Sequence, residues 1–285
     1  MDFDFNSLWL YVTILLATYA LFKYYSVSRK RKTLERWTER SKQGKVILHG
    51  MYGNSEVLPT PSPFVLKLET YLRLVNIPYE LDKVDIWGPK GKTPWISYDG
   101  KHLADSQFIV EFLSNEFGKQ LSSKYSMKDR AVGTMARVMV EEHLYWAGVM
   151  WRFAFGGKDT FQMVLNGKKS FLQWLIFSLI APQMRSMAWS QGVGRHSEAE
   201  IKSIMLNDLR AISAILGQNK FLLGEDPSED DCSVFAGLAS AVFATNSPVE
   251  QELNGELNNI REYSYRMKDL LWPDWESQKT KVKHS

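Results

Sequence analysis

Cysteine is almost absent: the 285-residue chain carries one, Cys232. That excludes an internal disulfide framework, a CxxC redox pair and a multi-thiolate metal site. Gly 18 and Pro 10 are too few for a collagen-like or low-complexity chain. The five histidines, His49, His102, His143, His196 and His284, form no HExxH or other close ligand set. Glu141-Glu142-His143 on a helix would point its side chains in different directions. The expectation is no bound metal, with the histidines in structural or surface roles. Charge of one sign is scarce too. The net charge is +3, but residues 23–45 alone carry nine bases against Glu35 and Glu39, a net of +7. Residues 46–285 are left at −2. Basicity is therefore a short belt on a slightly acidic body, which argues against a nucleic-acid partner.

What the chain does have is apolar content, 45% hydrophobic with Trp 10, enough for a large core. Leu8 to Phe22 reads LWLYVTILLATYALF, followed by Lys23, Tyr24 and Tyr25. As a helix, residues 8–25 would span about 27 Å, near the hydrocarbon thickness of a bilayer. Trp9, Tyr11, Tyr24 and Tyr25 sit where interfacial aromatics form. The extreme N-terminus is acidic and no small-residue cleavage site follows, unlike a cleaved signal peptide. The pattern predicts an uncleaved transmembrane signal anchor (1–25) and a basic juxtamembrane linker (26–44) on anionic lipid headgroups. The positive-inside rule then makes the chain a single-pass membrane protein with a cytosolic body.

From Lys45 the elements shorten. Val46–Met51 and Tyr79–Val84 read as strands around a helix over Pro63–Val75, with Pro63 suited to a first turn. Trp95–Tyr98, the Asp99-Gly100 turn and Lys101–Leu103 read as a hairpin, and Asp105-Ser106 opens a helix. After Lys119 the apolar spacing is helical throughout; Phe171–Ala181 is too short to span a bilayer and reads as a buried helix. The organisation is a βαβ-ββα domain (45–119) followed by an all-helical domain (120–285).

This combination resembles the glutathione S-transferase fold, a thioredoxin-like N-terminal domain followed by a helical C-terminal one. Thr93-Pro94 before a strand looks like the cis-proline of thioredoxin-like folds, where exposed backbone receives a peptide-like ligand. Asp105-Ser106 looks like the acid–hydroxyl pair that holds glutathione's γ-glutamyl end, and Ser228-Glu-Asp-Asp231 fits the helix start of the second domain. The strings SPFVLKLETYLRLVNIPYE (62–80), GPKGKTPWISYDGKHLADSQFIVEFL (88–113), QGVGRHS (191–197) and FLLGEDPSEDDCSVFAGLA (221–239) are similar to the failed-axon-connections group, related to metaxins. Its members include membrane-anchored nematode cadmium-responsive proteins. The resemblance implies a lysosomal or other endomembrane location, with the mitochondrial outer membrane as the alternative.

In transferases of this fold the reactive group lies at the first helix N-terminus, where free N–H groups stabilise a thiolate. Here the position reads Ser62-Pro63-Phe64-Val65, without the cysteines of thiol-using relatives. Ser62 is the catalytic candidate, equally suited to a plain helix cap. Tyr52, after strand one, is the fallback. Thr93, Pro94, Asp105 and Ser106 are the candidate glutathione contacts. Trp146, Trp151, Phe153, Phe161, Phe171 and Trp174 would furnish an apolar acceptor pocket. Two functions stay open: a non-catalytic adaptor or stress-response (cadmium or toxicant) factor with protein partners, and a glutathione-dependent transferase acting on electrophiles at the cytosolic membrane face. Homodimerisation is an expectation of the fold.

Overall fold

A computed structural model describes residues 5–52, 57–156, 171–244 and 247–279. Helix α1 (Phe5–Ser41) leads into β1 (Val46–His49), α2 (Pro63–Leu74) and β2 (Tyr79–Asp82). These are followed by β3 (Trp95–Tyr98), β4 (Lys101–Ala104) and α3 (Ser106–Glu116). β1 pairs parallel to β2 and antiparallel to β3, and β3 pairs antiparallel to β4, in the order β2-β1-β3-β4. Asp99 and Gly100 both take positive φ (46° and 72°), the conformation a tight two-residue hairpin needs.

Side chains alternate across these strands, so each face has its own cover. Val46, Leu48 and Ile96 pack with Leu68, Tyr71, Leu72, Ile109 and Leu113 beneath α2 and α3. Ile47, Trp95 and Ala104 face the other way, against Leu34 and Trp37 of α1. That second face is partly polar. His49, wholly buried, stacks on Trp95 (centroids 3.6 Å apart) and meets Trp37 edge-on at 4.7 Å.

A string of hydrogen bonds crosses it. His49 Nδ1 lies 2.7 Å from Asp82 and its Nε2 lies 2.8 Å from Ser97 Oγ, which is 2.9 Å from His102 Nδ1. His102 Nε2 is 2.9 Å from Thr38 Oγ1 on α1. Thr38 Oγ1 also donates to Leu34 O at 2.8 Å, and His102 Nε2 lies 3.1 Å from the same carbonyl, which ties the string to the α1 backbone. At its end α1 also caps the hairpin: Ser41 accepts from Asp99 N at its carbonyl (3.1 Å) and from Gly100 N at its hydroxyl (3.0 Å).

The helical part starts with α4 (Met127–Met139) and α5 (Tyr145–Met150), each followed by a wide π turn, Val140–Leu144 and Trp151–Phe155. Then come α6 (Phe171–Gln191), α7 (Glu198–Leu216), α8 (Glu229–Phe243), α9 (Glu250–Leu253), α10 (Asn258–Leu271) and α11 (Trp275–Gln278). Ser197/Glu200 and Ser228/Asp231 form reciprocal capping boxes at the starts of α7 and α8. The thioredoxin-like and all-helical halves thus follow in the expected order.

Three expectations are corrected. Among the described residues no helix is long and apolar enough to cross a membrane. The single-pass anchor, and the lysosomal, endomembrane or outer-mitochondrial location built on it, are therefore overturned. The physical reason lies in the stretch itself: Tyr11, Thr13, Thr18 and Tyr19 dilute its apolar residues and Lys23 interrupts it. The segment 26–44 is not a linker either, since α1 runs unbroken through it to Ser41. Two of its bases pair with acids of the body, Arg36 with Asp85 and Arg40 with Glu80 at 3.2 Å, and Lys45 just past the segment is 3.4 Å from Glu80. Lastly, α6 is not buried: Trp174, Leu175 and Leu179 are 44%, 40% and 69% exposed. A helix apolar on all sides cannot bury every face against neighbours on one side.

Two outcomes follow from the α1 contact. Trp37→Ala should cost about 3–5 kcal/mol of unfolding free energy, as for other large aromatics removed from a core. Burial pulls the His49 and His102 imidazoles below their ordinary value. Burial pushes the Asp82 carboxyl up, but the His49 bond and the Val84 and Asp85 amides outweigh it and hold it low. A histidine depressed in the folded state stabilises above its unfolded value, about 6.5, and loses that contribution as pH falls. Thermal melts should therefore be flat above neutral pH and decline below it, and His49→Gln should lower the plateau while flattening the first part of the decline.

Candidate functional site

The strand register assembles the candidate residues. His49, the last residue of β1, pairs with Trp95, the first of β3, which pairs with Ala104, the last of β4. The chain leaving β1 towards Ser62, the Thr93-Pro94 step entering β3 and the Asp105-Ser106 step leaving β4 are thereby brought to one edge of the sheet. The Thr93–Pro94 bond is cis.

Ser62 caps α2: its Oγ accepts from Val65 N at 3.4 Å, and Pro63 follows at the first helical position. Thr60 Oγ1 fixes the approach by accepting from Ser62 N at 3.1 Å while donating to Met51 O at 2.6 Å. Capping uses a lone pair of the Ser62 hydroxyl and leaves its proton available. Tyr52 is differently placed. Burial pushes its phenol well above the ordinary tyrosine value, and the Glu69 carboxylate adds to that. It is therefore a poor source of the charge-bearing or strongly donating group that a thiolate wants.

Asp105 caps α3 from φ 88°, a region L-residues rarely adopt, with Oδ1 accepting from Gln107 N (3.1 Å) and Phe108 N (3.4 Å). Asp105 is exposed, Ser106 beside it is buried, and Thr93 Oγ1 is a buried hydroxyl with no hydrogen-bond partner among the described residues. Such groups are available to a polar ligand.

Two concavities flank this edge. A polar recess of about 330 Å³ is lined by Gln107, Glu111, Arg130, Arg137 and Asp230, where burial pushes Asp230 up to about 6. An apolar cavity of about 110 Å³ starts at Pro63 and Phe64 and extends between α5, α7 and α8. Of the aromatics expected there, Trp151 lines it, while Trp146, Phe153 and Trp174 do not. Phe161 and the Phe171 side chain lie outside the described residues. Tyr145 and Phe64, unassigned from the sequence, take their place, with ring centroids 5.1 Å apart.

Lys67, one turn into α2, was also missed. It is 1% exposed and donates to Gln107 Oε1 (2.9 Å) and Glu141 Oε1 (2.6 Å), joining both domains. Burial pulls its ammonium below the usual lysine value, against the attraction of Glu141. Its sequence signal was weak, because a lysine at helical spacing ordinarily marks a solvated face. Cys232 lies wholly buried beneath α2, and burial pushes its thiol well up. Among the described residues no group of three His, Cys, Asp or Glu side chains is arranged to hold a metal. His143 pairs with Asp208 at 2.8 Å. His284 lies outside the described residues.

Residues 63–158 match the glutathione S-transferase N-terminal domain and residues 205–267 the glutathione S-transferase C-terminal domain. The chain is 30% identical over 247 residues to Failed axon connections of Drosophila melanogaster, covering 81% of this chain. The match spans 59% of that protein's length. It is also 30% identical over 192 residues to the isoprene-epoxide–glutathione S-transferase of a Rhodococcus species, covering 64% of this chain and 80% of that protein. Among solved structures, the glutathione transferase URE2P6 of Phanerochaete chrysosporium, in complex with oxidized glutathione, superposes with a TM-score of 0.55 at 11% identity. That superposition covers 83% of this chain and 97% of the other, a likeness of fold alone.

The Lys67–Glu141 contact yields a stability test. Glu141→Ala should cost about 3–5 kcal/mol by stranding a buried ammonium, and the double variant Lys67→Met/Glu141→Leu should recover most of it in denaturant titrations.

Proposed function

The chain belongs to the glutathione S-transferase-like family that includes failed axon connections, and from that premise we propose that it binds glutathione at the edge where β1, β3 and β4 meet and transfers it to a small electrophile. The observation that carries this reading is the convergence there of three polar steps with hydrogen-bonding capacity to spare, beside an apolar cavity. Asp105 Oδ2 would accept from the γ-glutamyl ammonium. Ser106, at the start of α3, would donate to the neighbouring carboxylate. The backbone at Thr93 would pair with the cysteinyl peptide unit. The Ser62 proton would be directed at the sulfur, with the free end of α2 favouring its thiolate form.

The transfer step is a displacement. The thiolate forms a carbon–sulfur bond as the bond from that carbon to its leaving atom breaks. For an epoxide, the class named for the Rhodococcus relative, the ring oxygen leaves as an alkoxide and takes a proton from solvent. The cavity beginning at Pro63 and Phe64 sits where an apolar acceptor would meet that sulfur.

One observation favours the second reading, a non-catalytic adaptor of the same fold. The Ser62 hydroxyl is already engaged with Val65 N, and a helix cap needs nothing more. The two readings separate experimentally. Isothermal calorimetry of the full chain should show glutathione binding. Asp105→Asn keeps the cap and removes the charge, and should weaken binding about 10- to 100-fold, the worth of a charge-assisted hydrogen bond. Ser62→Ala should lower kcat towards an epoxide by at least about 10-fold at little change in KM. Binding without turnover would leave the adaptor reading standing. No heat at millimolar glutathione would sink the transferase reading.

Direct cadmium sequestration is not part of the proposal, because a soft metal wants several thiolates and this chain has one, buried.

A further inference from the structure

We infer that the apolar cavity between α2, α5, α7 and α8 is a binding site for small apolar carboxylates, anchored by Arg152. This goes beyond glutathione binding and does not depend on it. The walls are supplied by Phe64, Leu144, Val149, Met205 and Leu209. At about 110 Å³ the space is comparable with a protein cavity of about 150 Å³ that takes benzene.

Gly148 helps to make it. A glycine inside a helix costs about 1 kcal/mol relative to alanine, and a Cβ at Gly148 would meet nothing within 4 Å. Gly237 on the opposite wall is different: a Cβ there would lie 2.1 Å from Val140, so close packing explains it. The wall at Gly148 is open without any packing demand.

Arg152 lies in the π turn after α5, a distortion frequent at functional sites. Nη2 donates to Ser240 Oγ at 2.9 Å, and among the described residues no carboxylate pairs with the guanidinium. The acid of the lining is taken: Glu141 pairs with Lys67 at 2.6 Å and Arg137 at 3.5 Å. The remaining titratable group of the lining, Tyr145, is held neutral by burial. Among the described residues Arg152 is therefore a positive charge without a paired acid, with one N–H donor engaged by Ser240. Burial lowers its proton affinity, yet guanidinium stays charged in proteins. Such a half-buried charge favours an anion, and a planar carboxylate matches its fork. Ser233 and Ser247 add buried lining hydroxyls without partners among the described residues. Apolar walls select a monoanion with a short hydrocarbon body over a phosphate.

The test is calorimetry of the full chain without glutathione, using sodium hexanoate and hexan-1-ol. Hexanoate should bind at least about 10-fold more tightly than the alcohol, as a charge-assisted contact implies. Arg152→Gln should remove that preference and leave the alcohol within about twofold. Gly148→Leu should abolish binding of both without lowering the melting temperature, since the new side chain fills open space in a helix. Equal affinity of the two ligands for the wild-type chain, or no hexanoate binding at tens of millimolar, overturns the assignment, whether or not Arg152→Gln folds. Hexanoate binding in a chain that ignores glutathione would leave this site intact and remove only the transferase reading.

Discussion

A small sheet has two faces, and everything at the edge that carries Thr93 and Asp105 depends on how the second one is closed. α2 and α3 cover the face bearing Val46, Leu48 and Ile96. The other carries Ile47 and Trp95 among His49, Ser97 and His102, a mixture too polar to bury without partners. α1 supplies Trp37 for packing and Thr38 and Ser41 for hydrogen bonds. The consequence reaches the site. Asp82, engaged by His49, accepts from the amides of Val84 and Asp85, and the Asp85 carbonyl accepts from Trp95 Nε1 at 2.8 Å. The segment that carries the cis Thr93–Pro94 bond is thus held from behind by the interaction that docks α1. Arg36 and Trp37 Nε1 both reach the Asp85 carboxylate, so charge and packing act on one residue.

α2 is the second constraint, because it serves two cores. One side faces the sheet; the other meets α8 and the C-terminal helices. Its polar contacts there are buried or half-buried. Lys67 reaches Glu141, Thr70 accepts from Trp272 Nε1 at 3.0 Å, and Arg73 joins Glu69 to Asp274 while lying 3.9 Å from the Trp272 ring. Such pairs add less to stability than apolar packing would, but they are costly to mismatch and so define how the domains sit together. The same seam leaves the apolar cavity, since the π turns flanking α5 alter its wall and Gly148 withholds a side chain.

Much of this was legible in the sequence. The Asp-Gly hairpin, the Pro-started α2, the Asp105-Ser106 helix start and the Ser228/Asp231 box are local devices whose chemistry acts within four residues. Family motifs supplied their order. The N-terminal helix was misread because its two halves follow different physics. Residues 8–22 resemble a membrane segment by apolar content alone. The i, i+3, i+7 spacing of Leu34, Trp37 and Ser41, which signals docking, is hidden among bases that look like a headgroup belt. Those bases are complementary to an acidic body, and complementarity between distant segments leaves no local trace. α6 was misread for a related reason, since apolar composition does not say whether neighbours exist to cover it.

The sequence by itself determined the element order, the caps and turns, and the presence of a single thiol. Each rests on residue type or short-range geometry. Tertiary structure alone decided that Ser62, Thr93 and Asp105 share one sheet edge, that burial with Glu69 alongside suppresses Tyr52, that α1 is a cover for the sheet, and that Arg152 meets no carboxylate among the described residues. These depend on strand register and on contacts between residues tens to hundreds of positions apart, where burial and charge pairing are properties of the packed chain.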